Sequence, residues 1–184
     1  MFNSLLRQAA RAVYSIAENS NIRVWLTPIG YLFFFGLVAL LVVLSLMFDR
    51  LLQLDPMIPS SLNLYLSIPI LTIGGAVYLY LTYRFIKSHG TPFPGNPPKS
   101  LIINGLYSYI RNPMLLNWFI IILGLGILFR SFSLVLVFTP IFIAINILYV
   151  KTIEEKVLEM KFGEQYLKYK CSVPMFIPRY TRKH

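Results

Sequence analysis

From Pro28 to Phe48 the chain runs for 21 residues without a charge, and Asp49–Arg50 ends the run. A bilayer's hydrocarbon core takes roughly 20 apolar residues as helix. Inside it every backbone polar group must find its partner within the segment. A run of this kind therefore commits the chain to a membrane helix. Three further uncharged runs follow, at 62–83, 113–129 and 132–150. Pro69 and Gly74–Gly75 fall inside the second, where a membrane helix tolerates them. The third is short for a crossing and calls for local thinning of the bilayer. Arg130–Ser131 is the break between the third and fourth, so those two form an antiparallel hairpin. With 57% apolar and 13% charged residues, an ordinary soluble domain is excluded. The expected fold is an all-α integral membrane bundle with four transmembrane helices.

Residues 1–27 carry Arg7, Arg11 and Arg23 among Leu5, Leu6, Val13, Ile16 and Trp25. That pattern predicts an amphipathic helix on the membrane surface rather than a cleaved signal, whose apolar core is missing. Residues 28–184 make the membrane domain. Fifteen of the 17 basic residues lie at the N-terminus, in the 84–112 loop or in the 151–184 tail. Only Arg50 and Arg130 lie on the other side of a four-span arrangement. The richer side should face the cytoplasm. The net charge of +10 is thus juxtamembrane charge, and no nucleic-acid partner is expected.

The polar chemistry gathers at Gly105–Asn117, where Arg111 and Asn112 stand just ahead of a helix opening at Pro113 or Met114. Proline suits a first helical turn, and the free amides there favour an anionic group on a ligand. Beyond the fourth run come Glu154 and Glu155. Helical spacing places Glu154 on the apolar face with Ile147, Val150 and Leu158, and Glu155 on the polar face with Lys151 and Glu159. A carboxylate on an apolar face needs a partner, such as Arg111 or a bound cofactor. The lone Cys171 excludes an intrachain disulfide, and with only His89 and His184 no metal site is expected.

The run Gly90–Asn117, followed by Glu154–Glu155, Phe162–Gly163, Tyr166, Tyr169, Val173–Pro174 and Ile177–Pro178–Arg179, resembles the isoprenylcysteine carboxyl methyltransferase and phospholipid methyltransferase family. The likeness covers about residues 62–179. It implies an integral membrane enzyme that uses S-adenosylmethionine, bound at the cytoplasmic face, to methylate a lipophilic small molecule. The acceptor would be an isoprenylcysteine-like carboxylate, a phospholipid amine or another lipid, with membrane lipids as surroundings. The cofactor-binding residues it implies are Leu101, Ile102, Gly105, Tyr107, Arg111, Asn112, Pro113, Met114, Leu115, Glu154 and Glu155. Trp118 and Lys151 are expected on the acceptor side. No catalytic residue is assigned, because the sulfonium already activates the methyl group. Asn112, Leu115 and Asn117 stand where the family usually has histidine, tyrosine and glycine, and Val150 where the prenylcysteine enzymes carry arginine. These departures argue against prenylcysteine as acceptor. Two other readings stay open: an NADPH-dependent membrane lipid reductase, and an accessory membrane protein without activity.

Overall fold

The computed structural model describes residues 2–18, 20–91 and 98–178, without the side chains of 2–4, 7, 16–18 and 20–27. Most of the proline-rich run, at 92–97, and Arg179 lie outside the described residues, as do the side chains of Arg7, Ile16, Arg23 and Trp25. Among the described residues there are six helices: α1 (Phe2–Glu18), α2 (Ser20–Leu51), α3 (Ser60–Lys87), α4 (Pro113–Leu128), α5 (Leu134–Phe162) and α6 (Glu164–Ser172). No strand occurs among the described residues. Helices α2 (from Pro28), α3 and α5 are long and apolar enough to cross a membrane. Helix α4 is as apolar but has 16 residues, about 24 Å at 1.5 Å per residue.

The chain divides into two compact units. The first comprises Met1–Pro28, Leu81–Leu116 and Leu148–His184. Here α1 packs along the Val150–Phe162 part of α5, with Ala10 only 1% exposed. An amphipathic stripe needs an apolar partner, and α1 finds protein for at least one face, while Leu5 stays exposed.

The second unit comprises Ile29–Tyr80 and Asn117–Ile147. In it α3 and α4 approach closely at Gly74, where an added Cβ would stand 2.7 Å from Ile121 Cγ1. The buried Asn117 amide donates to the Gly74 carbonyl at 3.0 Å, the kind of bond that joins helices in hydrocarbon. Trp118 sits in an edge-packed aromatic cluster, 4.7 Å from Phe34, 5.5 Å from Phe35 and 5.4 Å from Tyr78 between ring centres. The α4–α5 turn is fixed from α2. Asp49 accepts the Ser131 hydroxyl at 2.5 Å and the Ser133 amide at 2.9 Å. Arg130, in the left-handed region at φ 58°, donates from Nε to the Ile58 carbonyl at 2.7 Å.

Helix α5 holds two π-helical turns, Leu134–Phe138 and Val150–Glu154. In the second, the Glu155 amide reaches back five residues to the Val150 carbonyl. One extra residue in a turn rotates all that follows by about 100°. That rotation turns Glu155 inward.

Candidate cofactor site

All of the site but Trp118 is built within the first unit. After α3 the chain reaches a single 3-10 turn, Gly105–Ser108, opened by Gly105 at φ 66°. The turn buries Tyr107 to 8% exposure, edge-on to Phe85 at 6.0 Å. The Tyr169 hydroxyl of α6 donates to the Tyr107 carbonyl at 2.7 Å. Burial, and next the neighbouring Glu154 carboxylate, push the Tyr107 phenol far above its ordinary pKa. Tyr107 is thus a neutral packing and hydrogen-bonding group at any physiological pH.

The tail then lies against the key stretch. The Arg111 and Asn112 amides donate to the Pro174 and Met175 carbonyls at 2.8 and 3.2 Å. Pro113 is buried and opens α4, as a residue without an amide hydrogen suits. The Arg111 guanidinium donates from Nη1 to Glu155 Oε1 at 2.8 Å, the two side chains being 12% and 7% exposed. Lys170 takes the other Glu155 oxygen at 2.6 Å and also reaches Glu159 at 2.8 Å. Burial works against the Lys170 charge, but its bonds to Glu155 and Glu159 outweigh that and raise its pKa. The Tyr166 phenol is pushed up by burial and then by Glu155, with Arg111 opposing through its charge and a hydrogen bond.

The face assignment of Glu155 is therefore overturned. Glu155 is buried and shared by two cations, not paired with Lys151, which is exposed. Glu154 is half-buried. The π turn at Val150–Glu154 is the cause, because it moves Glu155 onto the face that a regular helix gives to Glu154. Arg111 does find a glutamate, but the adjacent one.

Of the other predicted residues, Ile102 is buried, Leu101, Asn112, Met114 and Leu115 are half-buried, and Gly105 is exposed. Trp118 belongs to the second unit. Lys170 and the Pro174 and Met175 carbonyls have no counterpart in the sequence expectation. Their one hint is the Val173–Pro174 motif, since a proline keeps its neighbours extended and their carbonyls presentable.

Two buried donors in this network have no hydrogen-bond partner among the described residues: Arg111 Nε and Asn112 Nδ2. Adjacent along the chain, they flank the first turn of α4, whose amides lack intrahelical acceptors. A buried donor left unmatched is costly, and the pair suits a ligand carrying a carboxylate or hydroxyl acceptors. Among the described residues no group of three or more His, Cys, Asp or Glu could hold a metal ion.

The model of the phospholipid methyltransferase family matches residues 64–165, more than half of the chain, from within α3 to the start of α6. The chain belongs to the phospholipid methyltransferase family. Comparison with curated proteins gives no match. The family is one of membrane methyltransferases, and together with the three apolar helices it identifies an integral membrane protein. The matched segment contains Tyr107, Arg111, Asn112, Glu154 and Glu155, so the Arg111–Glu155 pair lies inside the family's own region, while Lys170, Pro174 and Met175 lie beyond it.

Proposed function

We propose that the chain transfers a methyl group from S-adenosylmethionine to a lipophilic acceptor at the cytoplasmic face of its membrane. The observation that carries this reading is the pair of unpartnered buried donors, Arg111 Nε and Asn112 Nδ2. They fit the carboxylate or the ribose hydroxyls of that cofactor. When bound, the cofactor supplies a methyl group already activated by its sulfonium. The protein has to hold, orient and exclude water. Glu155 and Lys170 fix the Arg111 guanidinium so that Nε remains for the ligand. Tyr107, with Leu101 and Ile102, offers an apolar wall for a base, and Glu154 a carboxylate beside it. Trp118 and Lys151 are proposed for the acceptor side on the sequence alone.

The same reading takes 28–184 as one membrane domain with four crossings. Helix α4 would cross in a thinned bilayer, since a core of about 30 Å exceeds its length. The N-terminus, the 84–112 loop and the tail then share the cytoplasm. Single cysteines at Asp55→Cys, Asn96→Cys and Thr181→Cys, after replacement of the exposed Cys171, test this by labelling from each side. Asn96 and Thr181 on opposite sides would end the four-span reading. For the cofactor, thermal unfolding of the purified protein is compared with S-adenosylmethionine, its demethylated product and NADPH. Ligand at about a hundred times its Kd stabilises by about 2.7 kcal/mol. A shift with NADPH alone would favour the reductase reading, and no shift with any of the three the accessory one.

A further inference from the structure

A second polar place lies in the other unit, around the end of α2. A cavity of about 230 Å³ is lined there by Leu46, Leu54 and Phe129 on its apolar side and by Arg50, Asp55 and Arg130 among its charges. Asp49 also lines it, but both its oxygens are engaged by Ser131 and Ser133. Arg130 is held in place by its Nε bond to Ile58. Its terminal nitrogens make no hydrogen bond or ion pair with the described residues. The side chains of Arg50 and Asp55 likewise make none with the described residues, although they line the same cavity, and both residues are exposed.

We propose that this cavity holds the zwitterionic headgroup of a phospholipid, its phosphate on Arg50 and Arg130 and its ammonium on Asp55. The mixed signs select the ligand class. An anion alone would set its charge against Asp55, and a cation alone would face two guanidiniums. A zwitterion satisfies both, and arginine is the residue suited to phosphate. The volume is below the usual range for drug-sized ligands and suits a small headgroup. A lipid is favoured over a soluble molecule because the cavity opens where an apolar helix ends. Met47 and Leu51, 61% and 77% exposed, offer acyl chains a surface directly beside Arg50. The site shares no residue with the one around Glu155.

The test uses the full-length protein in detergent and a phosphatidylethanolamine with a photoreactive acyl chain, followed by mapping of the adducts. Capture is expected on the peptides holding 46–56 and 129–130. Short-chain phosphatidylethanolamine should displace it at least about tenfold better than phosphatidylglycerol, which lacks the ammonium, the loss of one charge-assisted bond. Inorganic phosphate should not compete. Arg50→Gln and Asp55→Asn should each lower capture about tenfold without moving the unfolding temperature, both side chains being exposed. Adducts confined to other peptides, equal competition by phosphatidylglycerol, displacement by phosphate, or undiminished capture in Asp55→Asn would each overturn the proposal. S-adenosylmethionine binding measured on the same samples is expected to be untouched, so failure here leaves the methyl-transfer reading where it was.

Discussion

Glu155 in the first unit and Asp49 in the second each organise the polar groups around them, but by different means. Glu155 is met by two cations, Arg111 and Lys170, at 2.8 and 2.6 Å. Asp49 is met by neutral donors, a serine hydroxyl and the Ser133 amide. The second arrangement is a cap in trans: the acceptors are used up, and a helix start and a tight turn are secured. The first is open. A guanidinium has more donors than one carboxylate can take, so pairing Arg111 with Glu155 fixes its plane and still leaves Nε over. The Ser133 hydroxyl beside Asp49 is also left over among the described residues, so what distinguishes the two places is charge: a spare cationic donor suits an anionic ligand, a spare hydroxyl does not single one out.

That contrast can be broken most forcefully at Glu155. Glu155→Gln leaves the Arg111 guanidinium buried without its counter-charge. Breaking one side of a buried pair costs about 3–5 kcal/mol, so thermal unfolding in detergent should show a large drop, together with loss of S-adenosylmethionine affinity. A fall no greater than that of an exposed-site control such as Lys151→Gln would show that the network is not what holds the site. Glu154→Gln, by contrast, should leave stability nearly unchanged and act on cofactor affinity alone.

Arg111→Lys is the next sharpest test, since it keeps the charge for Glu155 and removes the guanidinium fork. Cofactor affinity should fall about ten- to a hundredfold, the worth of a charge-assisted bond, with a smaller change in stability. Binding measured by calorimetry beside the unfolding curve separates the two. Equal binding by Arg111→Lys and the parent would mean that Nε meets no ligand.

Asp49→Asn should behave in the opposite sense. Loss of the charged acceptor costs about 1 kcal/mol and leaves cofactor affinity where it was, because a closed cap serves only the turn. The smallest effect is expected for Tyr169→Phe, which removes the bond to the Tyr107 carbonyl, worth about 0.5–1.5 kcal/mol. Its signature is a modest loss of cofactor affinity that Asp49→Asn does not show.

Three of the four expected spans were legible in the sequence because hydrocarbon tolerates no compromise: an uncharged run such as 28–48 has few other fates. The gathering of polar groups at Arg111–Asn112–Pro113, at the opening of an apolar helix, was legible too. Its inner wiring was not. The inward turn of Glu155 depends on a π turn, and nothing in Val150–Lys151–Thr152–Ile153–Glu154 distinguishes that turn from regular helix. Lys170 escaped notice because Gly163, at φ 53°, ends one helix and starts the next, and periodicity cannot be carried across such a break. The pairing of Arg111 and Asn112 with Pro174 and Met175 uses backbone alone, which leaves no mark in side-chain pattern. Helix α1 shows a different ambiguity. An amphipathic stripe announces that it needs an apolar neighbour, without saying whether that neighbour is lipid or the Val150–Phe162 part of α5.

The wide turn at Val150–Glu154 also bears on inheritance. It has the form of a single-residue insertion accommodated by the backbone instead of being looped out, and its undoing is as simple. Deleting Thr152 would let the helix close into regular α geometry with the downstream segment keeping its bearing, because the residue removed and the extra width of the turn cancel. Glu155 would still face Arg111, one position earlier in the chain. Two relatives that differ by this one codon would carry the same buried carboxylate at neighbouring positions. An alignment that runs through the turn without a gap would match the anchor of one with the bystander of the other.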